Sequence, residues 1–321
     1  MTTARSQLIC PDITPYYHCV SRCVRRTYLC GFDSLTGKSY EHRRDWIEQR
    51  ILSLANVYLI QICSYAVMSN HYHLVVRIDK ESALALSDLE VVERWHAEHQ
   101  LPPIIQRWLA GDIKSDAEKE ACNQFINEWR ERLYSLSWFM RELNYGIAVQ
   151  ANKEDQCTGR FWEGRFKSQA LLDEKALLAA MAYVDLNPIR AKMADTPEQS
   201  DFTSIKARLT SLEKGKTTTP SLANFMGYDH QDKTLGIPFK LSDYLELVDW
   251  LGRQIRPDKT GYINDSQPNI LARLTLTQSD CLALCTELEK KPRVWIGSTP
   301  RLHQVKTALN KKRMVALHIA L

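Results

Sequence analysis

The sequence predicts an α+β fold, with a ferredoxin-like antiparallel sheet and packed helices, followed by a mostly helical C-terminal region. Runs rich in β-branched and aromatic residues indicate four strands. Apolar residues at intervals of three and four indicate the helices between them. The elements follow one another as strand, helix, strand, strand, helix, strand and a further helix, and this order is typical of a ferredoxin-like sheet.

The first half of the sheet is predicted from three apolar runs. Residues 16–23, YYHCVSRC, form the first strand, and residues 41–55 have the apolar spacing of a helix. Residues 57–68 and 71–78 are β-branched and aromatic, and the polar pair Ser69-Asn70 between them suits a tight turn, so they predict a hairpin. The loop after the first strand is basic, with Arg22, Arg25 and Arg26.

The second half begins with a break in this pattern. Residues 79–122 are mixed and charged, and we interpret them as an insertion. Residues 124–146 predict one long helix, and residues 166–172 predict one more strand. Asp173 then suits the N-cap of a helix that ends just before Pro188, because proline disfavours helical backbone in the residue that precedes it.

The charge distribution suggests two regions. We expect residues 1–208 to form one domain that contains the insertion, and residues 209–321 to form a mostly helical accessory region. Residues 286–321 carry eight Lys or Arg and two acidic residues, although the net charge of the whole chain is only +4. A basic tail on a near-neutral body favours a polyanionic partner, while a solvated helix face would show the same charge pattern.

The composition excludes several classes of protein. The chain has 321 residues, of which 44% are hydrophobic and 25% charged, as in an ordinary globular protein. No apolar run of about 18 residues predicts a membrane span, and the N-terminus lacks the features of a signal peptide. The nine cysteines have irregular spacings, so we expect reduced thiols in a cytoplasmic protein, all of them small core residues.

The pattern His71-Tyr72-His73 is the clearest candidate for a site. Side chains alternate along a strand, so both imidazoles face one way while Tyr72 faces an apolar layer. Two neutral imidazoles on one face can bind one divalent cation. Histidines at this spacing are also common on surfaces and in cores. The short polar turn that precedes the strand favours a metal site here.

A second candidate lies near the end of the helix that follows Asp173. Tyr183 and Asn187 are four residues apart, so a phenol and an amide share one helix face if the last turn holds. The chain has thirteen tyrosines, and most of them must be ordinary core or surface residues. The spacing alone therefore leaves both interpretations of Tyr183 open.

Residues 159–167, GRFWEGRFK, interleave cations with aromatic side chains. The cations are Arg160, Arg165 and Lys167, and the aromatic residues are Phe161, Trp162 and Phe166. Aromatic rings that stack bases, beside cations that hold phosphates, are typical of proteins that bind single-stranded nucleic acid. A half-buried hairpin with an exposed basic edge explains the pattern equally well.

Together these motifs resemble the REP-associated tyrosine transposases, which are relatives of the single-tyrosine insertion-sequence transposases in the HUH endonuclease group. The resemblance covers roughly residues 15–208 and rests on four motifs in the family's order. They are YHCVSRCVRR at 17–26, YAVMSNHYHLVV at 65–76, GRFWEGRFKS at 159–168 and AYVDLNPIRA at 182–191. The insertion is longer than a minimal member needs, and the small relatives have no counterpart of the region after about residue 208.

The resemblance implies a metal-dependent site that cuts DNA. His71 and His73 match the histidines of the family's metal motif, Tyr183 matches its nucleophile, and Asn187 matches its further polar ligand. The implied cofactor is Mg²⁺ or Mn²⁺, which would act as a Lewis acid on the scissile phosphate. The implied partner is single-stranded DNA with a hairpin, cleaved through a phosphotyrosine link to the 5′ end, in a bacterial cytoplasm and at the nucleoid.

We expect the DNA backbone and bases to contact the residues of the first loop, of residues 159–167 and of the basic tail. Three other functions remain as alternatives. A plasmid relaxase or replication initiator of the HUH group would use the same metal and tyrosine on another DNA. A domesticated protein would bind hairpins without cutting them. A small-molecule metal hydrolase is disfavoured, because the sequence has no cluster of acidic ligands.

Overall fold

The computed structural model describes residues 8–24, 29–33, 37–227, 236–255, 269–277, 279, 281, 283, 288, 294–311 and 313–319. The strands in these residues are β1 (Tyr16–Arg22), β2 (Phe32–Asp33), β3 (Lys38–Ser39), β4 (Ile60–Val67), β5 (His71–Ile78), β6 (Lys167–Leu171), β7 (Trp295–Ser298) and β8 (Ala316–Ile319). The helices are α1 (His42–Val57), α2 (Lys80–Ala85), α3 (Asp88–His96), α4 (Pro103–Leu109), α5 (Asp116–Leu133), α6 (Leu136–Glu154), α7 (Glu174–Asp185), α8 (Asn187–Arg190), α9 (Ser204–Glu213), α10 (Leu241–Ile255), α11 (Asn269–Arg273) and α12 (Thr299–Ala308). No described helix is both long and apolar enough to cross a membrane.

Six strands form one mixed sheet in the order β4-β5-β1-β6-β7-β8, and β2 pairs separately with β3. The first four strands of the sheet pair antiparallel, whereas β6, β7 and β8 pair parallel. The α+β class is confirmed. The four predicted strands pair antiparallel, and the sheet as a whole is mixed because β7 and β8, which were not predicted, add parallel pairs. Strands β7 and β8 lie in the region that was predicted to be mostly helical, and each has only four residues, too few to show a periodicity.

The four predicted strands are present close to their predicted bounds. The returning strand of the hairpin, β5, has the predicted range, and the register of β1 against β5 pairs Val20 with His73. The difference at β4 is small: Val57 belongs to the end of α1, and the strand begins at Ile60. The sequence pattern therefore located the centre of the sheet.

The two faces of the sheet have different partners. Tyr17, Tyr72 and Leu74 lie in one buried cluster with side chains of α1 and α6, among them Ile51 and Phe139. The opposite face is covered by α7, whose apolar residues form a second buried cluster. Side chains alternate along a strand, so the residues between those of the first cluster point toward α7. This second face is the one that carries the histidines.

Residues 79–122 are helical and packed onto the core. They form α2, α3, α4 and the first turns of α5. Ser87 and Ser115 each accept a hydrogen bond from the backbone N–H three residues later, and the glutamate at that position completes a capping box. Trp95 and Ile105 are buried in the same cluster as Tyr72. The charged composition of the segment reflects amphipathic helices with an exposed face.

The single helix predicted over residues 124–146 is two helices. Helix α5 ends at Leu133 and α6 begins at Leu136. Ser135 caps α6 and accepts a hydrogen bond from the Trp138 backbone N–H at 3.4 Å. The apolar spacing continues across the break because both helices contribute to one core, so periodicity alone did not show it. Ser135 was the local signal for a new N-terminus.

Helix α7 begins as predicted, because the Asp173 carboxylate accepts from the Ala176 backbone N–H at 3.0 Å. It ends at Asp185, two residues before the predicted end, and Pro188 lies in the first turn of the next helix, α8. The wholly buried Asp185 carboxylate accepts from the Tyr244 hydroxyl at 2.5 Å, from the Ile205 backbone N–H at 3.0 Å, and from the Ser204 hydroxyl. These bonds hold the end of α7 against α9 and α10.

The region after residue 208 contributes to the same sheet through β7 and β8. Gly297 in β7 lies so close to Leu172, the residue after β6, that an added Cβ would come within 2.9 Å of the Leu172 Cβ. Part of the basic tail has a packing role: Arg301 donates to the carbonyl oxygens of Leu172 and Ile13, and the Lys311 ammonium lies 5.1 Å from the Trp295 ring centroid. The division of the chain into two regions at residue 208 stays a prediction.

Candidate functional site

His71 and His73 project from β5 toward α7, on the same face of the sheet. Their ring centroids lie 4.7 Å apart, with the rings nearly perpendicular. His73 is wholly buried and His71 is half-buried. Tyr72, between them, points into the opposite layer and lies 5.7 Å from the Trp162 ring. The alternation predicted from the sequence therefore brings two imidazoles together.

Tyr183 and Asn187 reach the same place from the helical side. The Tyr183 ring centroid lies 5.7 Å from that of His73, and the Asn187 Nδ2 donates to His73 Nε2 at 2.8 Å. The Arg190 guanidinium lies 3.7 Å above the Tyr183 ring, and its Nη2 donates to the Asn187 Oδ1 at 3.3 Å. Residues that are more than 100 positions apart in the sequence thus form one cluster of histidine, tyrosine and amide.

His18 is a member of this cluster that sequence reasoning missed. Its ring is stacked against His73, with centroids 5.3 Å apart and planes within 9°. The His18 Nε2 lies 3.0 Å from the His73 Nδ1, and the His18 Nδ1 lies 2.6 Å from the Gln169 Oε1. The signal was its place in the YHCVSRC strand. Alternation along that strand predicts which face of the sheet His18 occupies, but it does not predict which residue His18 contacts.

Burial keeps His73 neutral. Loss of hydration is the largest cause that lowers the pKa of His73 well below its usual value. The nearby His71, His18, Arg190 and Arg22 add to this effect, because a proton on His73 would lie close to other cationic or protonatable side chains. The unprotonated ring nitrogen of His73 is therefore available as a hydrogen-bond acceptor or as a metal ligand at neutral pH.

The donor set suits a divalent cation of intermediate softness. The described residues contain no group of three or more His, Cys, Asp and Glu arranged to hold a metal ion. The candidate set comprises the imidazoles of His71 and His73 and the amide of Asn187. The Asn187 Nδ2 lies 2.8 Å from His73 Nε2 and the Oδ1 accepts from Arg190, so this amide would have to turn over to offer its oxygen to an ion. Neutral imidazole nitrogen and amide oxygen are ligands that Mn²⁺ accepts and Mg²⁺ tolerates, so the residues present fit such an ion.

Cations surround the cluster. Arg22 lies opposite His71 in the pairing of β1 with β5, and it is half-buried. Lys167 lies opposite Val20, which itself lies opposite His73, so the register places Lys167 on the histidine face, where it is exposed. With Arg190 these side chains make the neighbourhood positive, which favours a bound phosphate. Arg25 and Arg26, predicted to contact DNA, lie outside the described residues.

The aromatic residues of the 159–167 segment are not exposed. Phe161 is 2% exposed, and Trp162 and Phe166 are each 9% exposed, within the cluster that packs on α1 and α6. The Trp162 Nε1 donates to the Asn144 carbonyl oxygen at 2.8 Å. Arg160, Arg165 and Lys167 are exposed. The expectation of free faces for base stacking is therefore corrected in favour of the alternative, a segment anchored by its aromatic residues with a basic edge.

The cluster is closed in this conformation. The Tyr183 side chain is only 3% exposed. A cavity of about 420 Å³ beside Trp138 and another of about 290 Å³ beside Arg301 do not include the histidines. Contact between the Tyr183 hydroxyl and a nucleic-acid phosphate therefore requires the side chains above it, including Arg190, to move.

The burial of Trp162 leads to a stability prediction. Trp162→Ala should lower the free energy of unfolding by about 3–5 kcal/mol, because a large ring is lost from a packed core. Arg160→Ala, on the same segment but exposed, should change it by less than about 0.5 kcal/mol. Denaturant unfolding of the two variants checks both values. A Trp162→Ala protein that is as stable as the wild type but binds DNA poorly would restore the base-stacking interpretation.

Comparisons with known proteins identify no family for this chain. No family model matches it, and no curated protein matches it. A solved structure described as a REP-associated tyrosine transposase bound to a REP hairpin is similar, with a TM-score of 0.38 and 13% sequence identity. The similarity covers 74% of this chain and 97% of that one. A likeness of this size does not by itself establish a shared fold or activity.

Proposed function

We propose that this protein is a metal-dependent, single-tyrosine transposase-like enzyme that cleaves and rejoins single-stranded DNA bearing a hairpin. One observation carries the proposal: His71, His73, Tyr183 and Asn187, assigned to one active site by the sequence resemblance, converge between β5 and the end of α7. A chance pair of histidines on a strand would not be expected to meet a tyrosine and an amide that match the remaining positions of the same motif.

The arrangement of the central strands supports the same proposal. In chain order the units are β1, α1, β4, β5, α6 and β6, and in the sheet these strands lie in the order β4-β5-β1-β6, all antiparallel to their neighbours. A ferredoxin-like βαββαβ unit has this order, which is the fold that the resemblance implies. In this unit the histidines lie on a central strand, and the tyrosine lies on the helix after the last strand.

The proposed chemistry uses the Tyr183 hydroxyl as the nucleophile. Its oxygen forms a bond to phosphorus as the bond from phosphorus to the 3′ oxygen breaks, and the departing 3′ oxygen ends as a hydroxyl with the proton that Tyr183 loses. The link to the 5′ end follows from the resemblance. Attack by a 3′-hydroxyl on the phosphotyrosine rejoins DNA without ATP, because the phosphodiester energy is conserved in the covalent link.

The surrounding residues have roles that follow from their positions. His71, His73 and Asn187 would hold Mg²⁺ or Mn²⁺, which supplies Lewis-acid stabilisation of the scissile phosphate when bound. Arg190, stacked on the Tyr183 ring, favours negative charge on the phenol oxygen as its proton leaves. Arg22 and Lys167, on the histidine face, suit the phosphates on either side of the scissile bond.

The preference for single-stranded DNA rests on two arguments. A pliable single strand allows in-line approach of phosphorus to a tyrosine on a helix more easily than a regular duplex does. The resemblance supplies the hairpin. The aromatic residues of the 159–167 segment are buried and do not add to this preference. We therefore expect the affinity for DNA to come mainly from cationic side chains and to weaken steeply as the salt concentration rises.

A second candidate function, hairpin binding without cleavage, is favoured by the closed state of the site. Both ring nitrogens of His73 lie within hydrogen-bond distance of protein atoms, and Tyr183 is nearly inaccessible. A relaxase or replication initiator would use the same residues as a transposase on a different DNA. Cleavage of labelled single-stranded hairpin DNA in Mn²⁺ separates the binding protein from the enzymes, and cleavage of supercoiled plasmid separates the enzymes from each other.

Tyr183→Phe should abolish strand cleavage while it changes DNA affinity by less than about threefold. The substitution removes the nucleophilic oxygen and leaves the ring that packs against His73 and Arg190. Tyr145→Phe is the matched control, since Tyr145 is 68% exposed on α6, and it should cleave like the wild type. Cleavage is followed on a denaturing gel and affinity by anisotropy. Cleavage by Tyr183→Phe at the wild-type rate contradicts the assignment.

His71→Ala and His73→Ala should each weaken Mn²⁺ binding by more than the roughly 10- to 100-fold that loss of a supporting residue costs, and should abolish cleavage. Asn187→Ala should have a smaller effect, because an amide is a weaker ligand than an imidazole. His303→Ala, at an exposed position on α12, controls for the loss of a surface histidine. Calorimetric titration with Mn²⁺ measures all four variants. Wild-type Mn²⁺ affinity in either His71→Ala or His73→Ala removes that histidine from the ligand set.

A further inference from the structure

A continuous chain of hydrogen bonds passes through the buried His73. Its six members run from the end of α8, across three strands, to a backbone carbonyl in the C-terminal region. The successive distances are 3.3, 2.8, 3.0, 2.6 and 3.0 Å between Arg190, Asn187, His73, His18, Gln169 and the Leu288 carbonyl oxygen. The three central members, His73, His18 and Gln169, are each less than 9% exposed, so their polar atoms depend on one another for partners.

The direction of the chain is fixed at its Arg190 end. A guanidinium only donates, so the Asn187 Oδ1 faces Arg190 and the Asn187 Nδ2 faces His73. The Nδ2 group also only donates, and His73 Nε2 must therefore accept. A neutral imidazole carries one proton, which then lies on the His73 Nδ1 and is donated to the His18 Nε2.

The other end of the chain agrees with this direction. The Leu288 carbonyl only accepts, so the Gln169 Nε2 donates to it and the Gln169 Oε1 faces His18. That oxygen can only accept, so the His18 Nδ1 carries a proton. Because the His73 Nδ1 donates to the His18 Nε2, that nitrogen accepts and His18 holds one proton. If the Gln169 amide were turned over, its oxygen would face the Leu288 carbonyl oxygen, and both groups are acceptors. If the Asn187 amide were turned over, its NH₂ group would face the Arg190 guanidinium, and both groups are donors. Both ends therefore assign one tautomer to each histidine.

The sheet explains why His18 occupies this place. His18 lies opposite Val75 on β5 and opposite Gln169 on β6, while His73 lies opposite Val20. His18 and His73 are therefore diagonal neighbours on one face of adjacent antiparallel strands, close enough for long side chains to touch. Their rings stack almost parallel, and rotation of either ring would break the contact with the other.

We propose that His18 is a positioning residue that holds His73 in the tautomer with the proton on Nδ1, which leaves the lone pair on His73 Nε2. In this structure that lone pair accepts from the Asn187 Nδ2, and it becomes available to an ion when the amide turns away. The role toward the ion rests on the proposed function, whereas the tautomer itself does not. Gln169 acts one step further out and fixes the proton of His18. Residues that accept from the outer nitrogen of a metal-bound histidine orient its ring and raise its basicity, and their loss typically costs 10- to 100-fold in metal affinity.

The tautomers are tested first in the wild-type protein without metal. Side-chain ¹⁵N spectra of histidine-labelled protein at neutral pH, assigned with His73→Gln and His18→Gln, should show both imidazoles neutral and protonated on Nδ1. A proton on His73 Nε2, or on both of its nitrogens, overturns the proposal whether or not the protein cleaves DNA.

Mn²⁺ affinity is then compared between His18→Phe and His18→Gln. Phenylalanine retains a planar ring but cannot accept from His73, and Mn²⁺ binding should weaken about 10- to 100-fold. Glutamine places a carbonyl oxygen near the position of the His18 Nε2 and should bind Mn²⁺ within about threefold of the wild type. A merely structural role would lower the unfolding temperature of both variants without separating their Mn²⁺ affinities. Gln169→Leu should show a smaller loss in the same direction.

The outcomes distinguish this proposal from the proposed function. Equal Mn²⁺ affinity in His18→Phe and the wild type overturns the positioning role. Should His18→Phe fail to fold, a loss of Mn²⁺ affinity of tenfold or more in His18→Gln overturns it as well, since glutamine keeps the acceptor. The wild type could show the expected tautomers but bind no Mn²⁺ and cleave no DNA. That result would contradict the proposed metal-dependent function, but it would still support the orientation of His73 by His18.

Discussion

The carboxylate of Asp185, wholly buried at the end of α7, is the constraint on which the candidate site depends. It accepts from a hydroxyl and a backbone N–H at the start of α9 and from the Tyr244 hydroxyl on α10. Leaving a carboxylate without such partners in the interior costs several kcal/mol, so α7 is held where all three donors reach it. Tyr183 precedes Asp185 by two residues and Asn187 follows it by two, and their positions against β5 are fixed by the same contacts.

The sheet supplies the other half of the site through alternation. One face of β1 and β5 packs against α1 and α6, and this burial obliges His18, His71 and His73 to face α7. Taking the His73 ring out of water is tolerated because burial keeps it neutral and because it bonds to His18 and to the Asn187 amide. The side chains of the cluster are therefore preorganised, but the Arg190 guanidinium lies over the Tyr183 ring and covers it. Access of DNA to the Tyr183 hydroxyl therefore depends on movement of the Arg190 side chain more than of α7 or the sheet.

The parts of this structure that follow from local pattern were predictable from the sequence. The alternation of β5 placed two imidazoles on one face, and Asp173 marked the start of α7. The parts that depend on tertiary pairing were not. Strands β7 and β8 have only four residues each, so their strand structure depends on pairing with neighbouring strands. The apolar spacing hides the break between α5 and α6 because both helices pack in one core, and Ser135 was the one local signal for it. A sequence that interleaves aromatic and basic residues has the same pattern whether its rings stack on bases or pack in a core. The Trp162 ring packs in the core. The contact between His18 and His73 could not be predicted without knowing that β1 and β5 are neighbours in the sheet.

The most direct test of the central claim, that Tyr183 forms a covalent bond with DNA beside the histidine cluster, is peptide mapping of the protein–DNA adduct. The wild-type protein is incubated with a single-stranded hairpin oligonucleotide and Mn²⁺, denatured, digested with nuclease and protease, and sequenced by mass spectrometry. The account predicts a nucleotide attached through its 5′ phosphate to Tyr183, in the peptide that contains AYVDLNPIR. A nucleotide on any other tyrosine, such as the exposed Tyr145, or cleavage of the DNA without a protein adduct, would contradict it.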